Sequence, residues 1–460
     1  MAMGKRKKRR QGTLWVETGQ LARGPGHPFY RRLNQVLEAE GFDEQVERLC
    51  ARFYAGPVGR PSLPPAVYFR LLLIGYFEGI DSERGIAWRV ADSLTLREFL
   101  GYGLSEGAPD HSTISRNRRL IDLEAHQEIF TWVVRVLARK GLVSGKTLGV
   151  DASTLEANAA LRSIVRRDTG EGYQDFLRAL AEASGIATPS REELAKIDRD
   201  RPGKGSNRDW EHPDDPDARI TRMKDGRTHL AHKAEHAVDL DTGAVVAVTL
   251  QPADRGDTTS LGETVEEAMD VLADVLEDPV AAEHLADDVV AELIADKGYH
   301  SNAVLTAHHR LGIRTYISEP RRKGRRRWRG KPREKAATYG NRRRIRGDRG
   351  KALLRRRGEL VERSFAHCYD TGGLRRTHLR GHRNIHKRQL VHVAGFNLGL
   401  LMRSLVGAGT PRGWRGRFAP LLGALASLWS RFWRLSRRIW GPAATRPLLG
   451  RDVSRGLAQA

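Results

Sequence analysis

Gly149-Val150-Asp151-Ala152-Ser153 lies at the end of an apolar run, and Leu148 to Ala152 reads as a short buried strand ending at Asp151. A carboxylate at a strand end suits catalysis and suits a packed core poorly. Two more acidic signatures follow in order, Ile294-Ala295-Asp296-Lys297-Gly298-Tyr299 and Leu360-Val361-Glu362-Arg363-Ser364-Phe365. Carboxylates converging on one point hold oxygen-seeking divalent ions next to a polyanion. The chemistry expected from that set is metal-dependent cleavage of nucleic acid.

The charge balance agrees. Among 460 residues, 79 Lys and Arg face 56 Asp and Glu, a net charge of +23 that favours phosphate backbones or anionic membrane surfaces as partners. From Arg321 to Arg357 there are 19 Lys or Arg against only Glu334 and Asp348, so much of the excess sits between the second and third signatures. The charge-free apolar stretch Phe418 to Ser430 is shorter than the roughly 20 residues that span a bilayer, and no membrane span is expected. Only Cys50 and Cys368 are present, which leaves no disulfide framework and no zinc-finger spacing and fits a reducing, cytoplasmic setting. The run Lys5 to Arg10 is followed by Gln11, Gly12 and Thr13, so it reads as a basic arm rather than a secretory signal.

Helical spacing in Ala66 to Phe77, Ile86 to Phe99 and Ile121 to Leu137 marks residues 14–140 as a helical N-terminal domain, for which DNA binding is an expectation that rests on one basic segment. Within it, Asp110-His111-Ser112-Thr113-Ile114-Ser115-Arg116-Asn117-Arg118-Arg119 offers an N-cap and then a basic helical turn, as a DNA-contacting helix has. An ordinary capped surface helix reads the same way. Residues 145–405 read as a mixed α/β sheet domain. His229 to Leu240 and Ala244 to Leu250 form a hairpin about Asp241-Thr242-Gly243, Leu261 to Leu276 a helix, Val289 to Ala295 a buried strand segment or a helix end, Thr315 to Ser318 a strand, and Leu353 to His367 a helix carrying Glu362. A charged insertion, about 162–219, reads as an excursion with one helical patch at Tyr173 to Ser184, and about 321–350 as a basic loop. An apolar helix, Leu390 to Leu405, precedes a basic tail, 410–460, with Trp414, Trp429, Trp433 and Trp440 among arginines.

The order Gly-Val-Asp, Ala-Asp-Lys-Gly-Tyr and Val-Glu-Arg-Ser-Phe, with a hairpin between the first two, resembles the DDE transposases of bacterial insertion sequences. Gly59-Arg60-Pro61, Asp110-His111-Ser112-Thr113-Ile114-Ser115 and Ala394-Gly395-Phe396-Asn397-Leu398 extend the resemblance over Gly59 to Arg403. It implies a ribonuclease-H-like catalytic domain behind a helical domain. It also implies an Asp151, Asp296 and Glu362 triad ligating two Mg²⁺ ions, with Mn²⁺ as a substitute. The implied activity is binding of terminal inverted repeats, strand cleavage and strand transfer on double-stranded DNA by a homo-oligomer. A catalytically inactive DNA-binding derivative of such an enzyme is the alternative.

Glu359 shares a helix face with Glu362 and is its rival as third ligand. Many such transposases carry Tyr, Arg and Lys around this Glu, but the matching positions here are Arg355, Gly358 and Tyr369. The phosphate-gripping candidates are therefore Arg356, Arg357, Arg376 and Lys387. Arg325, Arg326 and Arg327 beside Trp328 suit backbone contact and stacking on an unpaired base, and Arg116 and Arg118 suit the N-terminal contact. His378, His382 and His386 recur at a spacing of four and read as phosphate-contacting or structural residues rather than zinc ligands.

Overall fold

The computed structural model describes residues 26–54, 62–103, 105–201, 205–223, 226–321 and 326–414. Lys5 to Arg10, Gly59-Arg60-Pro61, Arg325 and the tail tryptophans 429, 433 and 440 lie outside the described residues.

The N-terminal part is helical: α1 (Pro28–Ala39), α2 (Phe42–Cys50), α3 (Pro65–Glu78), α4 (Glu83–Ala91), α5 (Leu94–Phe99), α6 (His111–Leu120) and α7 (Leu123–Arg139). Helix α3 starts with a proline at its first turn, is apolar nearly all round and is correspondingly buried. The Ile86 to Phe99 stretch is two helices, because Ser93 turns the chain and caps α5 by accepting from the Leu96 N–H. Asp110 is the cap of α6, accepting from the Ser112 N–H at 2.8 Å.

The rest is built about β1 (Thr147–Glu156). After it come β2 (Val165–Arg166), α8 (Tyr173–Ala183), α9 (Arg191–Asp200), β3 (Trp210–Glu211), β4 (Arg219–Arg222), β5 (Thr228–Asp239) and β6 (Val245–Pro252). Then follow α10 (Asp257–Leu276), α11 (Pro279–Ala282), β7 (Glu292–Ala295), α12 (Asn302–Arg310), β8 (Arg314–Ile317), α13 (Pro332–Arg346), α14 (Asp348–Ala366) and α15 (His382–Val406). In the main sheet β5 pairs antiparallel with β1, β4 and β6, while β7 lies parallel to both β1 and β8. A helical region followed by a mixed sheet of this kind is the ribonuclease-H-like arrangement expected.

Three local expectations change. Strand β1 runs five residues past Asp151, so that carboxylate is mid-strand; continued pairing with β5 as far as Glu156↔Ala231 holds the chain extended. The 321–350 stretch is mostly helix, since α13 begins at Pro332 and its Asn341 closes on β8, accepting from Ile317 N–H and donating to Ile317 C=O. The 162–219 excursion folds about its own small core, in which Trp210 packs with Ile164, Ala157 and Leu230, and Tyr173 and Phe176 meet the indole edge-on.

Helix α14 crosses β1 at a point where the strand has no side chain. A Cβ on Gly149 would lie 2.9 Å from Arg357 Cγ and 2.6 Å from Leu240 Cδ2, so glycine is what lets Arg357 lie against the strand. Helix α15 joins the two parts of the chain, packing on α3 and α7 as well as on β6. It has the length and apolar composition of a membrane span, yet 67% of its most apolar window is buried inside the protein. Gly395 faces the Tyr76 ring, where a Cβ would come to 2.5 Å. Buried Asn397 accepts from Val245 N–H (3.0 Å) and donates to Val245 C=O (2.8 Å), completing the hydrogen bonds at the start of β6.

Asn397→Ala leaves both backbone groups of Val245 unmet and is expected to lower stability by about 1–3 kcal/mol, read by denaturant unfolding. Gly149→Ala overpacks the α14 seat and is expected to cost about 1–3 kcal/mol in the same measurement; an unchanged unfolding midpoint would remove the close-approach explanation of this glycine.

Candidate active site

Asp151 projects from the middle of β1 on the side covered by α14. Its Oδ1 accepts from the Ala152 N–H at 2.8 Å and its Oδ2 meets Arg357 Nη1 at 2.7 Å. Burial raises the pKa of this carboxyl above its usual value; the Arg357 charge opposes the shift and the neighbouring Asp296 adds to it. Asp296 stands just past the end of β7. The parallel register reaches Gly149↔Ile294, and two further residues along each strand bring Asp151 level with Asp296. Asp296 Oδ1 accepts from Gly298 N–H at 2.6 Å and so caps the tight turn Lys297–Tyr299.

The turn leads to Tyr299, a buried phenol whose hydroxyl donates to the Glu235 carboxylate. Burial drives its pKa far upward, reinforced by Glu235, Asp257, Asp151 and Asp296, so four carboxylates act on one hydroxyl. Glu235, on β5, is fully buried and was not foreseen. A signal existed in the titratable residues His232, Lys233, Glu235, His236 and Asp239, all buried in one strand of the core.

Glu362 is exposed on α14, whose neighbouring residues Val361, Ser364 and Phe365 turn into the core. Phe365 stacks on His236 with ring centroids 3.9 Å apart and planes at 13°, and His236 Nδ1 meets Ser364 Oγ at 2.9 Å. His236 is the register partner of Asp151 on β5. Burial lowers its pKa to about 3, so the ring is neutral at physiological pH. Ser364 donates its own hydrogen to Val361 C=O, which leaves the His236 Nδ1–H as the donor to Ser364. The apolar letters of the third signature therefore bolt the helix to the sheet beside Asp151. Glu359 is engaged with Arg363 one turn on.

Among the described residues no group of three or more His, Cys, Asp or Glu stands close enough to hold a metal ion. Asp151 and Asp296 are the pair that the sheet brings together. Both offer hard oxygen donors, and Asp151 already holds a cationic group, so the two fit divalent ions in donor chemistry and charge.

The basic candidates divide by what they touch. Lys387 is buried, its ammonium donating to the carbonyls of Arg118 (2.9 Å) and Ile121 (2.7 Å), so it ties α15 to the end of α6 and is not presented to a phosphate. Arg118 is paired with Glu83 at 2.7 Å, and Arg326 with Glu319 at 2.8 Å. Trp328 is half-buried, with Arg326 over its face and Tyr339 beside it. Arg357 is spent on Asp151, and Arg356 donates to the Asp241 carbonyl in the hairpin turn while remaining exposed. Arg116, Arg327 and Arg376 are exposed. His382 and His386 meet the Leu250 and Val248 carbonyls and His378 meets Asp81, which makes the first two structural.

Residues 17–120 match the family described as a transposase domain (DUF772), and residues 207–398 match the transposase DDE domain. The second match contains Asp296 and Glu362, and Asp151 precedes it. No curated protein and no solved structure matches the chain. DDE transposases act on DNA and use divalent metal ions. With a helical transposase domain placed before a mixed sheet that brings two acidic signatures level, the chain belongs to the DDE transposases of insertion sequences.

Proposed function

We propose that this transposase binds the terminal inverted repeats of its element as a homo-oligomer and cleaves and joins strands there. In this reading Asp151, Asp296 and Glu362 hold two Mg²⁺ ions, for which Mn²⁺ substitutes. The observation that carries the reading is the placement of Asp151 on β1 and Asp296 just past the end of the adjacent parallel strand β7, close enough that the Asp296 charge helps raise the Asp151 pKa, with the helix that bears Glu362 packed over β1.

Divalent ions, when bound, would supply Lewis acidity that lowers the pKa of the attacking hydroxyl and steadies the leaving oxygen. The protein's own groups do the rest. Asp151 and Asp296 present oxygens from a rigid sheet, and α14 presents Glu362 from a helix fastened by Phe365, Ser364 and His236. Exposed Arg116, Arg327, Arg356 and Arg376 would neutralise backbone phosphates, an interaction that weakens as salt rises.

A DNA-binding protein without turnover is the second reading. It is favoured by the lack of a three-carboxylate group among the described residues and by the guanidinium seated on Asp151.

Cleavage of DNA carrying the element ends separates the two. Asp151→Ala, Asp296→Ala and Glu362→Ala are each expected to lower Mg²⁺-dependent cleavage by more than the roughly 10–100-fold that loss of an outer-shell partner costs, while binding in a mobility-shift titration persists. Glu359→Ala is expected to cut normally. Binding without cutting by the unaltered chain would establish the second reading.

A further inference from the structure

The face of β5 opposite His236 carries a polar cluster that the reaction itself does not use. Glu235 has no exposed surface. Its Oε1 accepts from Ser260 Oγ and from Tyr299 OH at 3.3 Å and is ion-paired with Lys233 Nζ at 3.0 Å, and its Oε2 accepts from Thr264 Oγ1 at 2.6 Å. Thr249 Oγ1 lies 2.7 Å from Thr264 Oγ1 and, with the Thr264 hydrogen already committed, is the donor there. The Lys233 ammonium also donates to Asp257 Oδ1 at 2.7 Å, Ser260 Oγ at 3.0 Å and Arg255 C=O at 3.1 Å. One buried cation thus ties together two carboxylates, one from the core strand and one from the first turn of α10.

Both of those carboxylates hold the turn that begins at Asp296. Tyr299 reaches into the core and ends on Glu235. Gly298 lies against the Lys233-bound Asp257, so that a Cβ there would come within 2.5 Å of Asp257 Oδ2 and 3.0 Å of Asp296 Oδ1. The turn is fixed at Gly298 and Tyr299, and Asp296 is its cap, accepting from Gly298 N–H. Moving Tyr299 or Gly298 would move the Asp296 oxygens relative to β1.

We infer that Glu235, with Lys233 as counter-ion and Tyr299 as the connecting arm, is a positioning residue that sets the Asp296 carboxylate level with Asp151. The inference rests on the proposed role of Asp296 as a metal-holding acid. Outer partners of this kind orient a ligand without touching the ion, and their loss typically weakens ion binding by roughly 10–100-fold.

The test is Mn²⁺ binding by the full-length protein, read from the loss of the free-ion electron paramagnetic resonance signal. It is paired with Mg²⁺ titrations of cleavage, and with thermal unfolding to verify the fold. Tyr299→Phe removes only the hydroxyl that reaches Glu235. It is expected to raise the Mn²⁺ half-saturation about 10-fold and the Mg²⁺ needed for half-maximal cleavage in parallel. The rate at saturating metal should stay within about threefold. Glu235→Gln, which keeps the size but loses the pairing with Lys233, is expected to shift half-saturation in the same direction, and Tyr299→Phe carries the test if that variant does not fold. Asp296→Ala is the reference and should abolish Mn²⁺ binding. If Asp296→Ala abolishes it while folded Tyr299→Phe binds as the unaltered chain does, the positioning role is overturned and the site reading stands. If Asp296→Ala itself binds normally, the site reading falls and the inference with it.

Discussion

A carboxylate withdrawn from water has to be met by cations or hydrogen-bond donors, and the main sheet meets that demand on both faces. On one face Arg357 from α14 answers Asp151; on the other, Lys233 with three hydroxyl groups answers Glu235. Glu292 at the start of β7 is handled in the same way by Thr147, Tyr316 and Arg349. Apolar packing alone would let a helix slide on a sheet by a turn at little cost. Charged partners that lose their matches on sliding make such alternatives costly, so these pairs set where α10 and α14 lie against β1, β5 and β7.

The helical domain and the sheet share that precision through α15. Its apolar length packs on α3 and α7, its Asn397 completes the start of β6, and its Lys387 closes the end of α6. A lysine expected at a phosphate instead holds two carbonyls of the N-terminal part. One buried helix thus fixes the helical part against the sheet that carries Asp151.

Much of this organisation was readable from residue patterns. The Asp241-Thr242-Gly243 hairpin, the strands around Ile294 and Tyr316 and the helix bearing Glu362 all announce themselves by period and turn chemistry, which are local properties. The order of the three acidic signatures carried the family. Patterns were less informative where charge and fold compete: residues 162–219 looked too polar for a core, yet Trp210, Tyr173 and Phe176 suffice for a small one. The 321–350 run looked like a loop because repulsion among its arginines hides a helix that Asn341 and Glu319 anchor.

Residue order and composition alone decided the class of the protein, because strand period, turn residues and a chain-wide excess of cations are written one neighbourhood at a time. Which arginine touches which carboxylate was decided only by folding. Arg355, Arg356 and Arg357 are indistinguishable as a string. The helix phase turns Arg357 onto β1, Gly149 leaves room for it, and Asp151 receives it, while Arg356 goes to the hairpin turn. The same holds for Glu235, whose hydroxyl partners come from β7's outgoing turn and α10. These are contacts between residues far apart in the chain, and no local pattern encodes them because each depends on where another element is packed.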